Sequence, residues 1–217
     1  MRFALISDTH GFCPEIPTGV EAVIHAGDVA ADVDVLQNYC NQIYPWAAAA
    51  GVPIHATFGN HDFAGEEGTL PGGCPANLRF YIDQAVDING VKFWFSPWSN
   101  YIGPWAFMQD ENGLAAKYAQ IPDGTEVIVS HGPPKDYGDQ ITWKGHHVGS
   151  VALAKRCANL KKLRYVITGH IHEAFGEYDM NGVRVLNVSH VDENYQPTNQ
   201  PVILEIASEQ RNRKNTK

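Results

Sequence analysis

An α/β fold is predicted by three features of the sequence. Apolar strand-like runs alternate with stretches of helical periodicity, two Asn-Gly steps mark hairpins, and five of the apolar runs end directly in Asp, Asn or His. The last feature bears on function. In open α/β sheets the carboxyl ends of the strands form the rim where ligands bind, so polar residues placed there converge from distant parts of the chain.

The elements follow in order. RFALIS and EAVIHA read as the first two strands. Residues 33–44 carry apolar side chains at 33, 36, 39/40 and 43, the spacing of a helix, and Pro45 is expected to kink or end it before a short turn in WAAAAG. VPIHATF is the third strand. Residues 63–77, rich in Gly and Pro, read as a loop. AVDINGVKFWFSP and EYDMNGVRVLNV are hairpins about Asn89-Gly90 and Asn181-Gly182. Between them lie a helix near 106–119, the strand EVIVS, a helix near 147–159 and the strand RYVIT; PVILEI closes the set.

The chain of 217 residues suffices for one sizeable core, so a single domain over 1–207 is expected, with 208–217 as a basic tail read as a frayed, solvated end. Apolar residues make up 44% and charged residues 18%, which excludes disordered and fibrous classes. No apolar run approaches the roughly 20 residues of a membrane span, and MRFALISDTH reads as a strand rather than a signal peptide. A cytoplasmic location is the default expectation. The net charge of −8 conceals a more acidic body: Arg211, Arg213, Lys214 and Lys217 sit in the last eight residues, leaving 12 basic against 24 acidic residues elsewhere. Such a body lacks the basic face that grips polymeric nucleic acid. Cys13, Cys40, Cys74 and Cys157 are widely spaced and read as reduced thiols.

The strand ends read Asp8-Thr-His10, Gly27-Asp28, Gly59-Asn60-His61-Asp62, Ser130-His131-Gly132 and Gly169-His170-Ile-His172. Asp8 and His10, and likewise His170 and His172, are two apart and share a face while the chain is extended. Each motif alone is weak; the five together point to a metal site. His25 and His55 lie inside apolar runs and read as hydrogen-bonded core histidines. His146, His147 and His190 lie in polar or mixed stretches and read as surface residues.

These five motifs resemble the signature of the calcineurin-like metallophosphoesterase superfamily, over nearly the whole chain. SPWSNYIGPWAF, HGPP and YQPTNQPVI are similar to a narrower subgroup, the metallophosphoesterase-domain-containing proteins related to the brain-expressed fetal protein. The resemblance implies a four-layer αββα sandwich of two mixed sheets, two divalent metal ions and phosphoester hydrolysis. It implies that Asp8, His10, Asp28 and His172 hold one metal, and that Asp28, Asn60, His131 and His170 hold the other. Asp28 bridges the pair. His61 stays free of both and serves as general acid, with Asp62 orienting it or capping the next turn. The subgroup's link to cyclic nucleotides makes these the expected substrate class.

Mixed nitrogen and oxygen ligands suit Mn, Fe, Zn or Co, with manganese favoured. Two such ions, offset by two carboxylates and a bridging hydroxide nucleophile, leave one net positive charge, enough for a diester monoanion. None of the five motifs holds the extra Arg or Lys that a monoester dianion would call for, although Lys135 and Lys144 follow HGPP. A small phosphoester or nucleotide is therefore the expected partner, neither membrane nor polymeric nucleic acid is, and no oligomeric state is legible. A metal-dependent phosphomonoesterase and a nucleotide-binding sensor with little turnover are the alternative readings. GDVAADVD lacks the Arg that follows this motif in protein phosphatases, which disfavours that activity. His170 is retained where animal members of the subgroup carry Gly. Trp98, Tyr101 and Trp105 are candidates to stack on a base, and Gly65-Glu66-Glu67 to discourage a polyanion.

Overall fold

The computed structural model describes residues 1–31, 34–142 and 145–207. Position 33 of the expected first helix, Lys144 and the 208–217 tail lie outside the described residues. In chain order come β1 (Arg2–Ile6), β2 (Ala22–His25), then a helical stretch of α1 (Val35–Asn38), a π-helical turn (Tyr39–Ile43) and α2 (Tyr44–Ala49). Next are β3 (Ile54–Ala56), α3 (Phe63–Glu66), β4 (Leu78–Phe80), β5 (Gln84–Ile88) and β6 (Val91–Ser96). The short pair β7 (Ser99–Asn100) and β8 (Met108–Gln109) precedes α4 (Glu111–Tyr118) and β9 (Val127–Ser130). Then follow β10 (Gln140–Ile141), β11 (His146–His147), α5 (Val151–Asn159) and β12 (Tyr165–Thr168). A 3-10 turn (His172–Ala174), β13 (Gly176–Met180), β14 (Val183–Asn187) and β15 (Val202–Glu205) complete the order.

Two mixed sheets carry the fold, ordered β15-β1-β2-β3-β4 and β13-β14-β12-β9-β6-β5. In the first, β1 to β4 run parallel and β15 lies antiparallel at the edge. In the second, β6, β9, β12 and β14 run parallel, and the hairpin partners β5 and β13 are the antiparallel edges. In each sheet, side chains alternate between a shared core and an outer one. Phe3 and Leu5 of β1 pack with Phe93, Phe95, Val127, Val129 and Ile167 between the sheets. Their neighbours Ala4 and Ile6 pack outward with Tyr39, Ile43 and Ala47 of the first helical stretch. On the other side Trp94, Ile128 and Val166 meet Leu114 and Tyr118 of α4 and Leu153 and Cys157 of α5. Strands covered on both faces must be apolar on both, which is why these runs are continuous. The expected αββα sandwich is the observed one.

Several elements differ from expectation. The backbone stays helical through Pro45, because the Tyr44 N–H bonds to the Tyr39 carbonyl, a widened π-type turn directly before the proline. Leu36 is exposed, and burial falls on Tyr39, Ile43, Tyr44 and Ala47 instead. The 63–77 loop opens with the single turn α3, and β4, unforeseen, adds an edge strand beside β3. Both outer helices start later than expected, where caps place them: Asp110 accepts from Gly113 N–H (2.8 Å) and Ser150 from Leu153 N–H (3.1 Å). The two hairpins fall as expected. The parallel strands point their carboxyl ends to one edge of the sandwich, where the five motifs lie.

Candidate metal centre

Three of the five motifs leave their strands by a tight, strained turn. Asp8, His10, Asp28 and His170 all have positive φ (51°, 43°, 53° and 68°), a conformation that non-glycine residues adopt only when the surroundings over-determine it. The glycines of the motifs are needed for close approach. A Cβ on Gly59 would lie 2.2 Å from Asp28 Oδ1, and one on Gly169 2.1 Å from Asp8 Oδ2. The backbone also donates inward: His170 N–H bonds to Asp8 Oδ1 at 3.0 Å, and His61 N–H to Asp28 Oδ1 at 2.8 Å.

The structure brings the predicted residues together. Asp8 Oδ1 lies 3.5 Å from His172 Nε2, which in turn lies 3.4 Å from His10 Nε2. Asp28 Oδ2 lies 3.8 Å from His10 Nε2 and 3.3 Å from His131 Nε2, which is 2.9 Å from Asn60 Oδ1. The His170 ring stands 5.0 Å from that of His131, and the His61 ring 4.8 Å from that of His10. Asp8, His10 and His172 offer donor atoms that all lie within 4.8 Å of one another, as do Asp8, Asp28 and His131.

The donor set fits divalent cations. His131 Nδ1–H donates to the Ala26 carbonyl (3.0 Å) and His172 Nδ1–H to the Asp192 carbonyl (3.1 Å). A carbonyl only accepts, so each ring turns its Nε2 lone pair inward. Facing lone pairs on His131 Nε2 and Asn60 Oδ1, or on His10 and His172, repel unless a cation or proton lies between them. Burial works against charge on His131, but Asp28 and Asp8 outweigh it and raise this imidazole to about 9. His172 is likewise raised, burial being overcome by Asp8. Burial lowers His10, and burial together with His131 pushes His170 down to about 3, the neutral form that ligates. Burial would raise both carboxylates, but the surrounding imidazoles hold Asp8 well below its ordinary value, through His172 first, and Asp28 below its own, through His131.

The model of the calcineurin-like phosphoesterase family matches residues 1–174, which include all five motifs. The chain belongs to that family. Members use a pair of divalent metals, and the buried Asp and His groups supply suitable donors. The chain is 30% identical over 131 residues to human metallophosphoesterase domain-containing protein 1, covering 60% of this chain and 40% of that protein. It thus spans less than half of that relative's length. A UPF0046 protein of Caenorhabditis elegans is 26% identical over 233 residues, covering 95% of this chain and 81% of that protein. A dimetal phosphatase from Danio rerio shares the fold, with a TM-score of 0.58 at 11% identity over 92% of this chain and 90% of that one.

Beyond the matched region of this calcineurin-like chain, residues 187–195 complete the centre unforeseen. Ser189 Oγ–H donates to Asp8 Oδ2 at 2.7 Å, and Asn187 Nδ2 donates to the carbonyls of Gly169 and Ile171 at 3.3 and 2.8 Å. VLNVSH is a sixth apolar run ending in polar residues, so its signal was present. The Asp192 carbonyl and the Tyr195 ring beside His10 and His172 carried no comparable signal.

Other readings need correction. His190 is buried, not a surface residue; its Nδ1 bonds to the Asn199 carbonyl at 2.6 Å. Asp62 occupies the N-cap of α3 without a side-chain bond to it; its carboxylate instead accepts from the N–H groups of Gly59 (2.8 Å) and Val29 (3.1 Å). Burial and the nearby Asp28 push Asp62 up to about 7. Glu66 accepts from Phe107 N–H (2.9 Å) and so ties a loop. Lys135 Nζ donates to the His147 carbonyl. Trp98 is buried and donates to Asp83 Oδ2, Tyr101 is 64% exposed, and of the three aromatics Trp105 stands beside His61. His25 and His55 are hydrogen-bonded core residues as expected, to Thr9 Oγ1 and Tyr81 OH. His146 and His147 are exposed, the latter paired with buried Asp139 at 2.6 Å. The four cysteines are free thiols, and no helix among the described residues is long and apolar enough to cross a membrane. A cavity of about 860 Å³ near Lys92, Glu126 and Arg164 lies at the amino ends of the second sheet's strands, away from the centre.

Proposed function

We propose that this family member is a dinuclear-metal phosphoesterase that hydrolyses phosphodiesters, small cyclic nucleotides among them. The observation that carries the reading is the pair of buried carboxylates, Asp8 and Asp28, ringed by inward-facing imidazole nitrogens. Asp8, His10, Asp28 and His172 would hold one ion, and Asp28, Asn60, His131 and His170 the other, manganese being favoured. When bound, the two ions supply Lewis acidity toward phosphoryl oxygens and lower the pKa of a water to about 7.

The chain's own residues do the rest. Asp28, fixed by the His61 N–H at 2.8 Å, would span both positions. His61 is buried, with its ring 4.8 Å from that of His10, and donates its imidazole proton to the departing ester oxygen. Asn60 Oδ1 and His131 Nε2, 2.9 Å apart, would both turn a lone pair to the second ion. The groups that depress Asp8 and Asp28 are imidazoles, and Lys135 is turned to the His147 carbonyl, so charge supports a diester monoanion over a dianion. Steady-state rates on 3′,5′-cyclic AMP, 2′,3′-cyclic AMP and 5′-AMP with Mn²⁺ test the reading. At least one cyclic compound is expected to exceed 5′-AMP. The reverse order makes the protein a phosphomonoesterase, and binding without turnover makes it a sensor.

A further inference from the structure

Two half-exposed aromatic rings stand against the imidazoles of the centre, and the proposed hydrolysis uses neither. Trp105 is 40% exposed, with its ring centroid 4.4 Å from that of His61. Tyr195 is 44% exposed and lies 4.8 Å from His10, 5.0 Å from His172 and 6.1 Å from His61. They come from loops 90 residues apart in sequence and meet different members of one cluster.

Both rings are held by built turns. Ala106 N–H donates to the Asn60 carbonyl at 3.1 Å and Phe107 N–H to Glu66 Oε1 at 2.9 Å, so the loop carrying Trp105 is tied to a strand-end motif and to α3. Tyr195 has a φ of 59°, a strained value for a bulky side chain. Asp192 holds it there: Asp192 Oδ1 accepts from the N–H groups of Asn194 and Gln196, each at 2.9 Å, and its carbonyl accepts from Tyr195 N–H at 2.9 Å. That carbonyl also accepts from His172 Nδ1–H. The turn that orients an inward-facing imidazole is therefore the turn that presents the Tyr195 ring.

We propose that Trp105 and Tyr195 form an aromatic rim that binds the organic group of the substrate, so that the centre selects phosphoesters bearing a planar aromatic or heteroaromatic group. The inference rests on the reading of the centre as a phosphoester site. Trp105 and Tyr195 stand 4.4 and 6.1 Å from the His61 ring, within reach of an ester substituent held beside that imidazole, and their partly exposed faces lose water when a flat group covers them. A small alkyl group gains little from either. Each stacked pair favours the aromatic ligand by roughly 2- to 10-fold in affinity.

Calorimetric titration of the Mn²⁺-loaded full chain with methylphenylphosphinate and dimethylphosphinate tests this. Both are monoanions that cannot be hydrolysed, and they differ only in a phenyl or a methyl group. The wild type is expected to bind the phenyl compound more tightly. Trp105→Leu and Tyr195→Leu should each reduce that preference by roughly 2- to 10-fold, while Tyr195→Phe keeps it. Should Tyr195→Leu fail to fold, the half-exposed Trp105→Leu decides. Equal affinities in the wild type, no binding of the phenyl compound, or a preference unchanged in the folded Leu variants would overturn the rim. Turnover of cyclic nucleotides without a phenyl preference removes the rim alone, and a phenyl preference without turnover removes the hydrolysis alone.

Discussion

Asp8 depends on groups that are not themselves proposed ligand atoms. Ser189 donates to its Oδ2 at 2.7 Å while His170 N–H holds its Oδ1 at 3.0 Å. Such supporting bonds are worth about 10- to 100-fold in metal affinity, so Ser189→Ala should lose that factor in equilibrium dialysis with Mn²⁺ while its circular dichroism stays native. An unchanged affinity would make the Ser189 bond incidental. At His61, Ala should lower turnover by about 10²- to 10⁴-fold on a cyclic nucleotide, which expels a sugar alkoxide, and much less on an aryl diester, which expels a stable phenolate. Equal losses on the two substrates would reassign His61 to phosphate binding. The proposed ligands were legible because each ends an apolar run in a residue with a donor atom. The Asp192 carbonyl that turns His172 was not, since a main-chain oxygen leaves no trace in residue identity.

Among the elements, α4 and α5 are joined by one side chain. Glu111 accepts from Val151 N–H (3.0 Å) and Ala152 N–H (2.9 Å) at the start of α5, and from Asn100 Nδ2 (2.8 Å). Burial works to raise this carboxyl, but these donors, with Ser150, hold it below its ordinary value. Its contribution is thus present above the ordinary carboxylate range and lost as pH falls through the lowered value. Glu111→Ala should cost about 1–2 kcal/mol in urea unfolding at pH 7, with metal content and turnover retained. Most elements were legible from period and turn residues, both hairpins from Asn89-Gly90 and Asn181-Gly182. The passage of a helix through Pro45 was not, because the π-type turn at Tyr39–Ile43 that makes room for it has no signature in spacing. β4 was missed because LRF is short, and its parallel pairing with β3 is a tertiary contact.

For the whole molecule, strand and helix alternation indicated an α/β class, whereas the layering of two mixed sheets between helices came through family resemblance, since pairing partners lie far apart in sequence. The stability of the folded chain is tied to pH through histidines that it buries neutral. His25 accepts from Gly27 N–H at its Nδ1 and bonds Thr9 Oγ1 through its Nε2, and burial pushes it from 6.5 down to about 3. Between these values the unfolded chain binds the proton and the folded one does not, so stability falls as pH drops from about 6.5 toward 3. Urea midpoints of the metal-free protein should follow that fall, and His25→Gln should be less stable at pH 7 but flatter across the window; an equally steep variant would remove His25 from the account. The proposed centre stands on Asp28, which would serve both ions, and losing its charge should weaken the pair together. The direct measurement is metal content per chain, by plasma mass spectrometry, for wild type and Asp28→Asn after loading with Mn²⁺ and dialysis. Two ions per wild-type chain and fewer than one in the variant are predicted; a variant that keeps both ions, or a wild type that binds none, would contradict the dinuclear centre.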